Sequence, residues 1–380
     1  MNVALFPSAF FPHFGGVEEL SRQLALTLNA KRHQVLVITN RWPRSLSSSE
    51  TVSGLSVSRF PFRTFEGSVK QRVMCYLTRS KIQGDLERLL SESQIDVIHV
   101  QCLSSNMCYA LNAGKRLGLP VVLTAQGELT MDASGIYQKP TFVNKNLCDF
   151  LQQADWVTGC SRRTLNDVYQ HVGLPVSSRS SVVWNGVNTN EFAAAHPFEH
   201  HCPYVLAIGR AVPQKGFDIL LAALATLGAN APNVLLVGDG SELSSLQQQC
   251  SNAGLNQKVT FFGKADRSQV PSLFRGARYV VLPSNADEGL PVVTAEASAA
   301  GKAIIATDVG GVTDIVAHNS TGIVIPRNDV PALAQAIQTY ETNPDLVDNH
   351  ARNNLQRSQH FDWSVLTDQY IDVYHQVLRQ

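Results

Sequence analysis

The sequence predicts an α/β protein made of two doubly wound domains. Short apolar runs alternate with longer amphipathic stretches along the whole chain, a pattern typical of βα units around a buried parallel sheet. The alternation is interrupted by a turn-forming segment near the midpoint and then starts again. A chain of 380 residues is also longer than one hydrophobic core usually supports. We therefore expect two Rossmann-like domains.

The first half contains five predicted strands and three predicted helices. The strands are Val3–Phe6, Val35–Thr39, Val97–Val100, Val121–Thr124 and Trp156–Thr158. The helices are Val17–Leu28, Val69–Leu90 and Lys145–Gln153. Met1–Phe6 has no basic leader and soon meets Pro7, so the sequence favours a first strand over a signal peptide.

The second half repeats the scheme with six predicted strands and four predicted helices. The strands are Tyr204–Ile208, Val234–Val237, Val259–Phe262, Tyr279–Leu282, Ala303–Ala306 and Ile323–Ile325. The helices are Phe217–Leu227, Leu243–Cys250, Pro291–Ala300 and Val330–Tyr340. The turn-forming segment Trp184–Asn188 places the domain boundary after Asn185, giving a first domain of residues 1–185 and a second of 186–361. Two such domains would face a cleft into which both sheets end.

Charge, cysteine content and hydropathy limit the classes of protein to which the chain could belong. The formal net charge is zero, which does not favour a nucleic-acid binder. Residues 1–185 carry 19 Lys+Arg against 13 Asp+Glu, and the remainder carries 12 against 18, so different partners are expected for the two halves. The seven cysteines are scattered and form no Cys-x-x-Cys pair, which indicates reduced thiols in a cytoplasmic protein. No apolar run approaches the roughly 20 residues of a membrane-spanning helix.

The strongest chemical signal is the segment Glu288–Glu296, Glu-Gly-Leu-Pro-Val-Val-Thr-Ala-Glu, which follows a predicted strand. Pro291 suits the start of a helix, and the amides around Gly289–Val292 would then form an anion site. Glu288 in the loop and Glu296 in the helix would contact different parts of one hydroxyl-rich ligand. The alternative is a capping glutamate followed by an exposed helical glutamate.

A second signal follows the strand Tyr204–Ile208. Arg210 and Lys215 lie in a strand-to-helix loop, where a Rossmann-like domain holds phosphate. Two cations there would stabilise a diphosphate leaving group. The alternative for such a pair is two solvated surface cations. The chain has no Asp-x-Asp triplet to hold Mg²⁺ for the same purpose, so we expect no metal and no cofactor.

Weaker signals lie in other loops. The paired Gly15 and Gly16 resemble a phosphate-binding turn but lack the dinucleotide fingerprint, and an ordinary tight turn is the alternative. After Val259–Phe262, Lys264 and Ala265 are placed to face a nucleotide base.

Polar residues also end two strands of the first domain. His99 lies at the end of one predicted strand, and Gln126, Glu128 and Asp132 follow another, so all four are candidate sugar or acceptor contacts. His99 fits a core histidine equally well. The stretch Arg59–Lys81 interleaves basic and aromatic residues, a composition that is compatible with an anionic bilayer or a lipid-linked diphosphate and equally typical of a solvated helix face.

Together these motifs make the chain resemble the retaining GT-B glycosyltransferases of family 4, which include bacterial mannosyl- and glucosyltransferases. The resemblance covers essentially the whole chain. Beyond the segments above it rests on Asp96–His99, Asn185–Val187, Val237–Gly240, Asp308–Gly311 and Thr321–Val324. Each motif alone is weak, but their order and their positions at strand ends are specific.

The resemblance implies roles for these residues. Glu288 would hydrogen-bond the transferred sugar, and Glu296 would hold the ribose of a UDP- or GDP-sugar. Arg210 and Lys215 would bind the diphosphate. The resemblance further implies that the donor site is lined by Gly15, Gly16, Lys264, Ala265, Gly289, Leu290, Pro291 and Val292, and that the helix 362–380 packs back on the first domain.

The implied activity is transfer of a hexose to an acceptor hydroxyl, in the synthesis of cell-surface polysaccharide, glycolipid or glycoconjugate. The acceptor would be a glycan or a lipid-linked molecule, with weak peripheral contact at the inner membrane face. One position departs from the family, which often has a histidine where this chain has Gln126. A sugar-nucleotide epimerase and a non-catalytic nucleotide-sugar-binding protein remain the alternatives.

Overall fold

A computed structural model describes residues 1–13, 15–65, 68–131 and 141–379. The chain divides into two compact domains. The first comprises Met1–Trp184 with Trp363–Gln380, and the second comprises Asn185–Asp362. The sequence analysis places the boundary after Asn185. Asp132 lies outside the described residues, as does most of the loop 127–139.

The first domain alternates strands and helices. Its strands are β1 (Asn2–Pro7), β2 (Gln34–Asn40), β3 (Ser49–Val52), β4 (Leu55–Phe60), β5 (Val97–Gln101), β6 (Val121–Ala125), β7 (Trp156–Gly159) and β8 (Ser180–Val182). Its helices are α1 (Gly16–Ala30), α2 (Val69–Glu92), α3 (Met107–Leu117), α4 (Phe142–Gln153) and α5 (Arg162–His171), and it also includes α14 (Trp363–Leu378).

These strands form one sheet in the order β3-β4-β2-β1-β5-β6-β7-β8. Every neighbouring pair is parallel except β3 and β4, which form an antiparallel hairpin at one edge. Val3 on β1 pairs with Val35 of β2 on one side and with Val97 of β5 on the other. The order in which successive strands are added to the sheet therefore reverses at β1. The inner strands are buried on both faces, as their continuous apolar runs require.

The second domain has a six-stranded parallel sheet. Its strands are β9 (Val205–Ile208), β10 (Val234–Val237), β11 (Val259–Gly263), β12 (Tyr279–Leu282), β13 (Ala303–Thr307) and β14 (Gly322–Ile325). Its helices are α6 (Thr189–Ala194), α7 (Phe217–Leu227), α8 (Leu243–Asn252), α9 (Val270–Gly276), α10 (Val292–Ala299), α11 (Val312–Ile315), α12 (Val330–Thr342) and α13 (Pro344–Ser358).

The strand order in this sheet is β11-β10-β9-β12-β13-β14, the order of a Rossmann fold. The order reverses between β9 and β12. In open sheets of this kind, ligands bind beyond the carboxyl ends of the strands at the point of reversal. The loops that follow β9 and β12 are therefore the first place to look for a site. The expectation of two Rossmann-like α/β domains with parallel sheets is confirmed.

The sequence analysis missed three strands of the first domain. β3 reads Ser-Glu-Thr-Val and is mostly exposed at the sheet edge, so it lacks an apolar run. β4 alternates apolar and polar residues and includes Arg59, a buried side chain that donates to Glu50 and to the Phe11 carbonyl. β8 has only three half-buried residues. Arg59 is therefore a buried residue at the edge of the first sheet. It does not belong to an exposed basic surface of the stretch Arg59–Lys81.

The terminal helix α14 packs against α1 within the first domain. Its apolar stripe is buried, and Lys31, which directly follows α1, forms an ion pair with Asp368 on α14 at 2.8 Å between Nζ and Oδ1. None of the described helices is both long enough and apolar enough to cross a membrane.

A buried polar network joins α14 to the strands. The Tyr374 hydroxyl lies 2.6 Å from His99 Nδ1, and the Thr124 hydroxyl lies 2.7 Å from His99 Nε2. Thr124 in turn bonds Thr158 on β7 at 2.6 Å. His99 has no exposed surface, and burial lowers its pKa to about 3. Of the two interpretations of His99, the structure favours a hydrogen-bonded core histidine.

We predict that His99 makes the protein less stable in acid. An unfolded chain binds a proton at this histidine near pH 6.5, whereas the folded protein does not until about pH 3. Between those values the free energy of unfolding should fall by up to about 1.4 kcal/mol per pH unit as the pH drops. The free energy of unfolding, measured with urea between pH 7 and pH 4, should fall less steeply with decreasing pH in His99→Gln than in wild type.

Exposed His171 provides the matched control, since it lies on the surface of the same domain. His171→Gln should keep the wild-type slope. Parallel stability curves for wild type and His99→Gln would contradict the prediction, whatever the absolute stability of the variant.

Candidate active site

The loops after β9 and β12 bring a cation and a carboxylate together. Lys215 Nζ lies 2.7 Å from Glu288 Oε2 and 2.8 Å from Oε1. The Ser284 hydroxyl donates to Glu288 Oε1 at 2.9 Å. The two ionic side chains are mostly shielded, with 14% and 24% of their surface exposed. Lys215 and Glu288, which are far apart in sequence, therefore form one charged centre where the strand order reverses.

Close backbone packing fixes the Lys215 side of this centre. Lys215 ends a short 3₁₀ turn, and Gly216 follows with a φ of +63°. A Cβ at Gly216 would stand 2.0 Å from the carbonyl oxygen of Pro283, the first residue after β12. Only glycine allows the β9 loop to lie directly on the β12 loop at this point.

A third loop fixes the Glu288 side. The Gly310 amide donates to Asp287 Oδ1 at 2.9 Å, and the Gly311 amide donates to the Glu288 carbonyl at 3.2 Å. Gly310 has a φ of +50°, and a Cβ there would come within 1.6 Å of the Glu288 carbonyl oxygen. The segment after β13 thus holds the backbone of Glu288 in place.

Glu296 occupies a different environment on α10. It is 5% exposed, and Arg267 Nη1 donates to its Oε1. The helix begins after Pro291, which makes no side-chain capping bond. Glu288 is therefore not a capping residue and Glu296 is not an exposed helical residue, so the alternative interpretation of this segment is wrong.

The other predicted donor-site residues lie in the same set of loops. Arg210 is exposed in the loop after β9. Lys264 is exposed and Ala265 half-buried in the loop after β11. The residues that lead into α10 are buried or half-buried: Gly289, Leu290, Pro291 and Val292. All of them follow strands at the carboxyl edge of the second sheet.

The first domain presents fewer accessible polar groups than expected. Gly15 caps α1 and Gly16 opens it, and both are exposed after β1. Glu128 is buried and accepts hydrogen bonds from the Leu103 amide and, at 2.6 Å, from the Gln126 amide. Burial raises the pKa of Glu128. The carboxyl group therefore joins the loops after β5 and β6.

Gln126 is more accessible to solvent than Glu128. It is half-buried, and its side-chain amide donates to Gln101 Oε1 at 3.2 Å. Gln101 is itself buried and contacts His99. The position where family members often have histidine is thus tied to the polar core network.

One group of side chains in the described part of the chain has the spacing of a metal site. His200, His201 and Cys202 bring their ligand atoms within 4.8 Å of one another. They precede β9 and so lie at the amino end of its strand, opposite the edge that bears Lys215 and Glu288. This group cannot bridge a diphosphate at the candidate active site.

Two family models match the chain, one for each half. Residues 14–191 match the model described as Glycosyltransferase Family 4, and residues 188–357 match the model described as Glycosyl transferases group 1. Between them they account for residues 14–357.

The chain belongs to glycosyltransferase family 4.

Relatives of known activity cover nearly the whole length. A phosphatidyl-myo-inositol mannosyltransferase from Mycolicibacterium smegmatis is 28% identical over 374 residues, which span 96% of this chain and 90% of the relative. A phosphatidylinositol N-acetylglucosaminyltransferase component from Arabidopsis thaliana is 26% identical over 364 residues, 93% of this chain and 78% of the relative.

Solved structures show the same GT-B fold. A glycosyltransferase from Rickettsia africae matches with a TM-score of 0.78 at 18% identity, covering 100% of this chain and 99% of the other. HepE from Anabaena, solved in complex with UDP, matches with a TM-score of 0.76 at 20% identity, covering 99% and 100%.

Sequence reasoning missed three residues that support this family 4 site. Ser284 holds Glu288, Gly310 fixes its backbone, and Arg267 pairs with Glu296. Gly310 is visible in the sequence as part of the motif Asp308–Gly311, although its contact is not. No local pattern marks Arg267, which lies 29 residues before its partner.

We predict that Gly310→Ala destabilises the second domain far more than Gly254→Ala. Both glycines have positive φ, +50° and +69°, but a Cβ at Gly254 meets open space. Gly254→Ala should cost about 1–2 kcal/mol from backbone strain alone. Gly310→Ala should cost about 4 kcal/mol, because the Glu288 carbonyl must also move. Denaturant unfolding measures both, and equal losses would show that the Glu288 contact is unimportant.

Proposed function

We propose that this glycosyltransferase is a retaining enzyme that moves a hexose from a nucleoside diphosphate sugar to an acceptor hydroxyl. The proposal includes a UDP- or GDP-sugar donor, no metal requirement, and a place in cell-surface polysaccharide, glycolipid or glycoconjugate synthesis. The activities of family relatives support sugar transfer, and one similar structure contains UDP-glucose.

The observation that carries the proposal is the contact between Lys215 and Glu288. An ammonium group suits a phosphate oxygen, and a carboxylate suits sugar hydroxyls. Because their atoms lie 2.7 Å apart, a ligand that contacts both would place its phosphate–sugar junction directly beside the pair. That junction is the bond that a glycosyltransferase breaks.

The charges assist bond breaking in a defined way. In the proposed step the anomeric carbon loses its bond to the diphosphate oxygen and passes through an oxocarbenium-like transition state. Lys215 and exposed Arg210 stabilise the negative charge that develops on the leaving group. The acceptor oxygen attacks from the same face, and its proton passes to the departing phosphate oxygen. The Val292–Ala299 helix N-terminus adds a favourable dipole.

Glu296 has a separate role in this proposal. Its carboxylate would bind the ribose hydroxyls of the donor, while Arg267 neutralises its charge in a buried setting. Lys264 and Ala265 would border the base. Glu288 contacts the sugar and is not required as a nucleophile.

A membrane-associated acceptor is the second part of the proposal. Four apolar side chains of α2 are 50–77% exposed: Val69, Val73, Tyr76 and Leu77. Within residues 68–81 the helix also carries four basic and no acidic residues. Such a surface suits weak binding to an anionic bilayer at the cytoplasmic face of the inner membrane. Two relatives are described as acting on phosphatidylinositol lipids, which supports a lipid-linked acceptor over a free glycan.

A panel of nucleotide sugars tests the donor assignment. A specific donor at 100 times its Kd should stabilise the fold by about 2.7 kcal/mol, measured as a thermal shift. NMR of the product formed with that donor should show the anomeric configuration of the donor retained. An inverted product would refute the retaining mechanism, and conversion of donor without any acceptor would favour the epimerase alternative.

We predict that Lys215→Met and Arg210→Gln each lower turnover at least 100-fold, the usual scale for removing one transition-state charge contact. Initial-rate assays with the identified donor measure the loss. Arg352→Gln removes an exposed arginine on α13 of the same domain and should leave the rate near wild type. Near-wild-type turnover in Lys215→Met would eliminate the proposed diphosphate contact.

We predict that Val73→Ser/Leu77→Ser reduces binding to anionic vesicles about tenfold, through loss of apolar burial. Flotation with phosphatidylcholine vesicles, with and without phosphatidylglycerol, measures binding. Val176→Ser is the matched control, because Val176 is 48% exposed elsewhere in the first domain. Equal flotation on neutral and anionic vesicles, or no flotation, would remove the bilayer from the proposal.

A further inference from the structure

A pocket in the first domain lies beyond the strands β2 and β4. Its volume is about 220 Å³, and it is bordered by Asn40, Arg41, Trp42, Arg44, Arg63 and Gln71, among others. Asn40 ends β2, Arg63 follows β4, and Gln71 lies in the first turn of α2. We refer to it as the arginine pocket. The pocket occupies the carboxyl edge of the first sheet, where doubly wound domains bind ligands.

The described residues that line the arginine pocket carry only positive charge. Arg41, Arg44 and Arg63 line it, and none of the described lining residues is acidic. Three like charges around one small cavity repel one another, and an anion between them relieves that repulsion. The electrostatics therefore favour a negatively charged occupant.

Arg63 is the most informative of the three. Its Nε is buried without a hydrogen-bond partner among the described atoms. The Nε atoms of Arg59 and Arg275 are also buried without a partner among the described atoms, but Arg59 donates through its other nitrogens to Glu50 and to the Phe11 carbonyl. Buried polar groups without partners are uncommon, and each calls for an explanation such as a bound ion or water. Arg63 therefore has donor capacity that the folded chain leaves unused.

The backbone of Arg63 is held by the core. The Tyr109 hydroxyl donates to the Arg63 carbonyl at 2.9 Å and lies 3.3 Å from its amide. Tyr109 is fully buried on α3, and its ring packs on Phe62 with centroids 4.8 Å apart. Among the other lining residues, Arg41 is also held by the backbone, because its Nε donates to the Leu46 carbonyl at 2.7 Å. This preorganisation lowers the entropic cost of binding.

We propose that the arginine pocket binds a phosphate group of the acceptor. Guanidinium groups match phosphate oxygens with paired hydrogen bonds, and three of them suit a group with several oxygens. The cavity is smaller than the roughly 300–1,000 Å³ of pockets that enclose drug-sized ligands, so it fits one compact charged group. The indole of Trp42, 67% exposed at the rim, offers an apolar face to the adjoining uncharged part.

This inference rests on the proposed function and refines it, because it assigns a phosphorylated acceptor to the first domain. The donor diphosphate belongs to Lys215 and Arg210 in the second domain. The phosphate in the arginine pocket comes either from a lipid headgroup or from a soluble phosphorylated sugar or polyol. Both sources share the chemistry that the arginines recognise.

Titration calorimetry of inorganic phosphate binding to the full chain tests the pocket without any turnover. Arg63→Gln and Arg44→Gln should each weaken phosphate binding about tenfold, as expected for loss of one charge-assisted contact. Arg88→Gln is the control, since Arg88 is an exposed arginine of α2 outside the pocket. Lys215→Gln should not change the phosphate affinity of the pocket.

The unfolding temperature of each variant shows whether a loss of phosphate binding results from misfolding. Because Arg63 is partly buried and none of the described carboxylates pairs with it, Arg63→Gln should unfold at a temperature no lower than wild type. Exposed Arg44 provides an independent variant. Phosphate binding that is lost in Lys215→Gln but kept in Arg63→Gln and Arg44→Gln would overturn the proposal.

Vesicles distinguish the two sources of phosphate. The probe is phosphatidylcholine with phosphatidylinositol, compared with phosphatidylcholine alone. Binding that requires phosphatidylinositol and is lost in Arg63→Gln assigns the pocket to a lipid headgroup, whereas arginine-dependent binding of free phosphate alone assigns it to a soluble acceptor. Vesicle and phosphate binding that are both unaffected by Arg63→Gln and Arg44→Gln would overturn the proposal. Failure of the nucleotide-sugar panel would reject the donor assignment and leave these results unchanged.

Discussion

The ion pair between Lys215 and Glu288 is the interaction on which the candidate active site depends. It forms where the order of the second sheet reverses between β9 and β12, so the topology itself brings the two loops together. A mostly shielded ion pair is stable only if the geometry is good and the remaining lone pairs are satisfied. Ser284 provides the extra hydrogen bond, and Gly216 and Gly310 allow the loops to approach. The two charged side chains of the candidate active site are thus carried by closely packed backbone.

The architecture could be predicted from sequence because the inner strands of a parallel sheet are buried on both faces. Val97–Gln101 and Tyr279–Leu282 are fully buried, and their apolar character is visible in any short window. The edge hairpin of β3 and β4 could not be predicted in this way. Its stability comes from pairing with neighbours and from Arg59 bonding Glu50, and such contacts leave no periodic signal.

The same distinction separates the parts of the site. Glu288 and Glu296 stand in one contiguous segment, so their spacing could be interpreted directly. The partners that define their environments are distant in sequence: Gly310 contacts the Glu288 backbone, and Arg267 pairs with Glu296. Burial also decided between interpretations. His99 and Glu128 have residue types suited to acceptor binding, yet both form hydrogen bonds within the core.

The core network has a consequence for where an acceptor binds in the first domain. His99 on β5 and Glu128 after β6 use their hydrogen-bonding capacity within the protein, and binding a polar ligand there would mean breaking those bonds. Arg63, beyond β4, has a buried Nε without a described partner and lines a pocket with two further arginines, so an anion that binds there does not have to displace a carboxylate from the described lining residues. If hydrogen bonding governs acceptor recognition, the β2–β4 side of the sheet is therefore favoured over the β5–β6 side. The same reasoning bears on Gln126, whose side-chain amide is already bonded to Gln101 and, unlike a histidine, cannot become charged against the buried network.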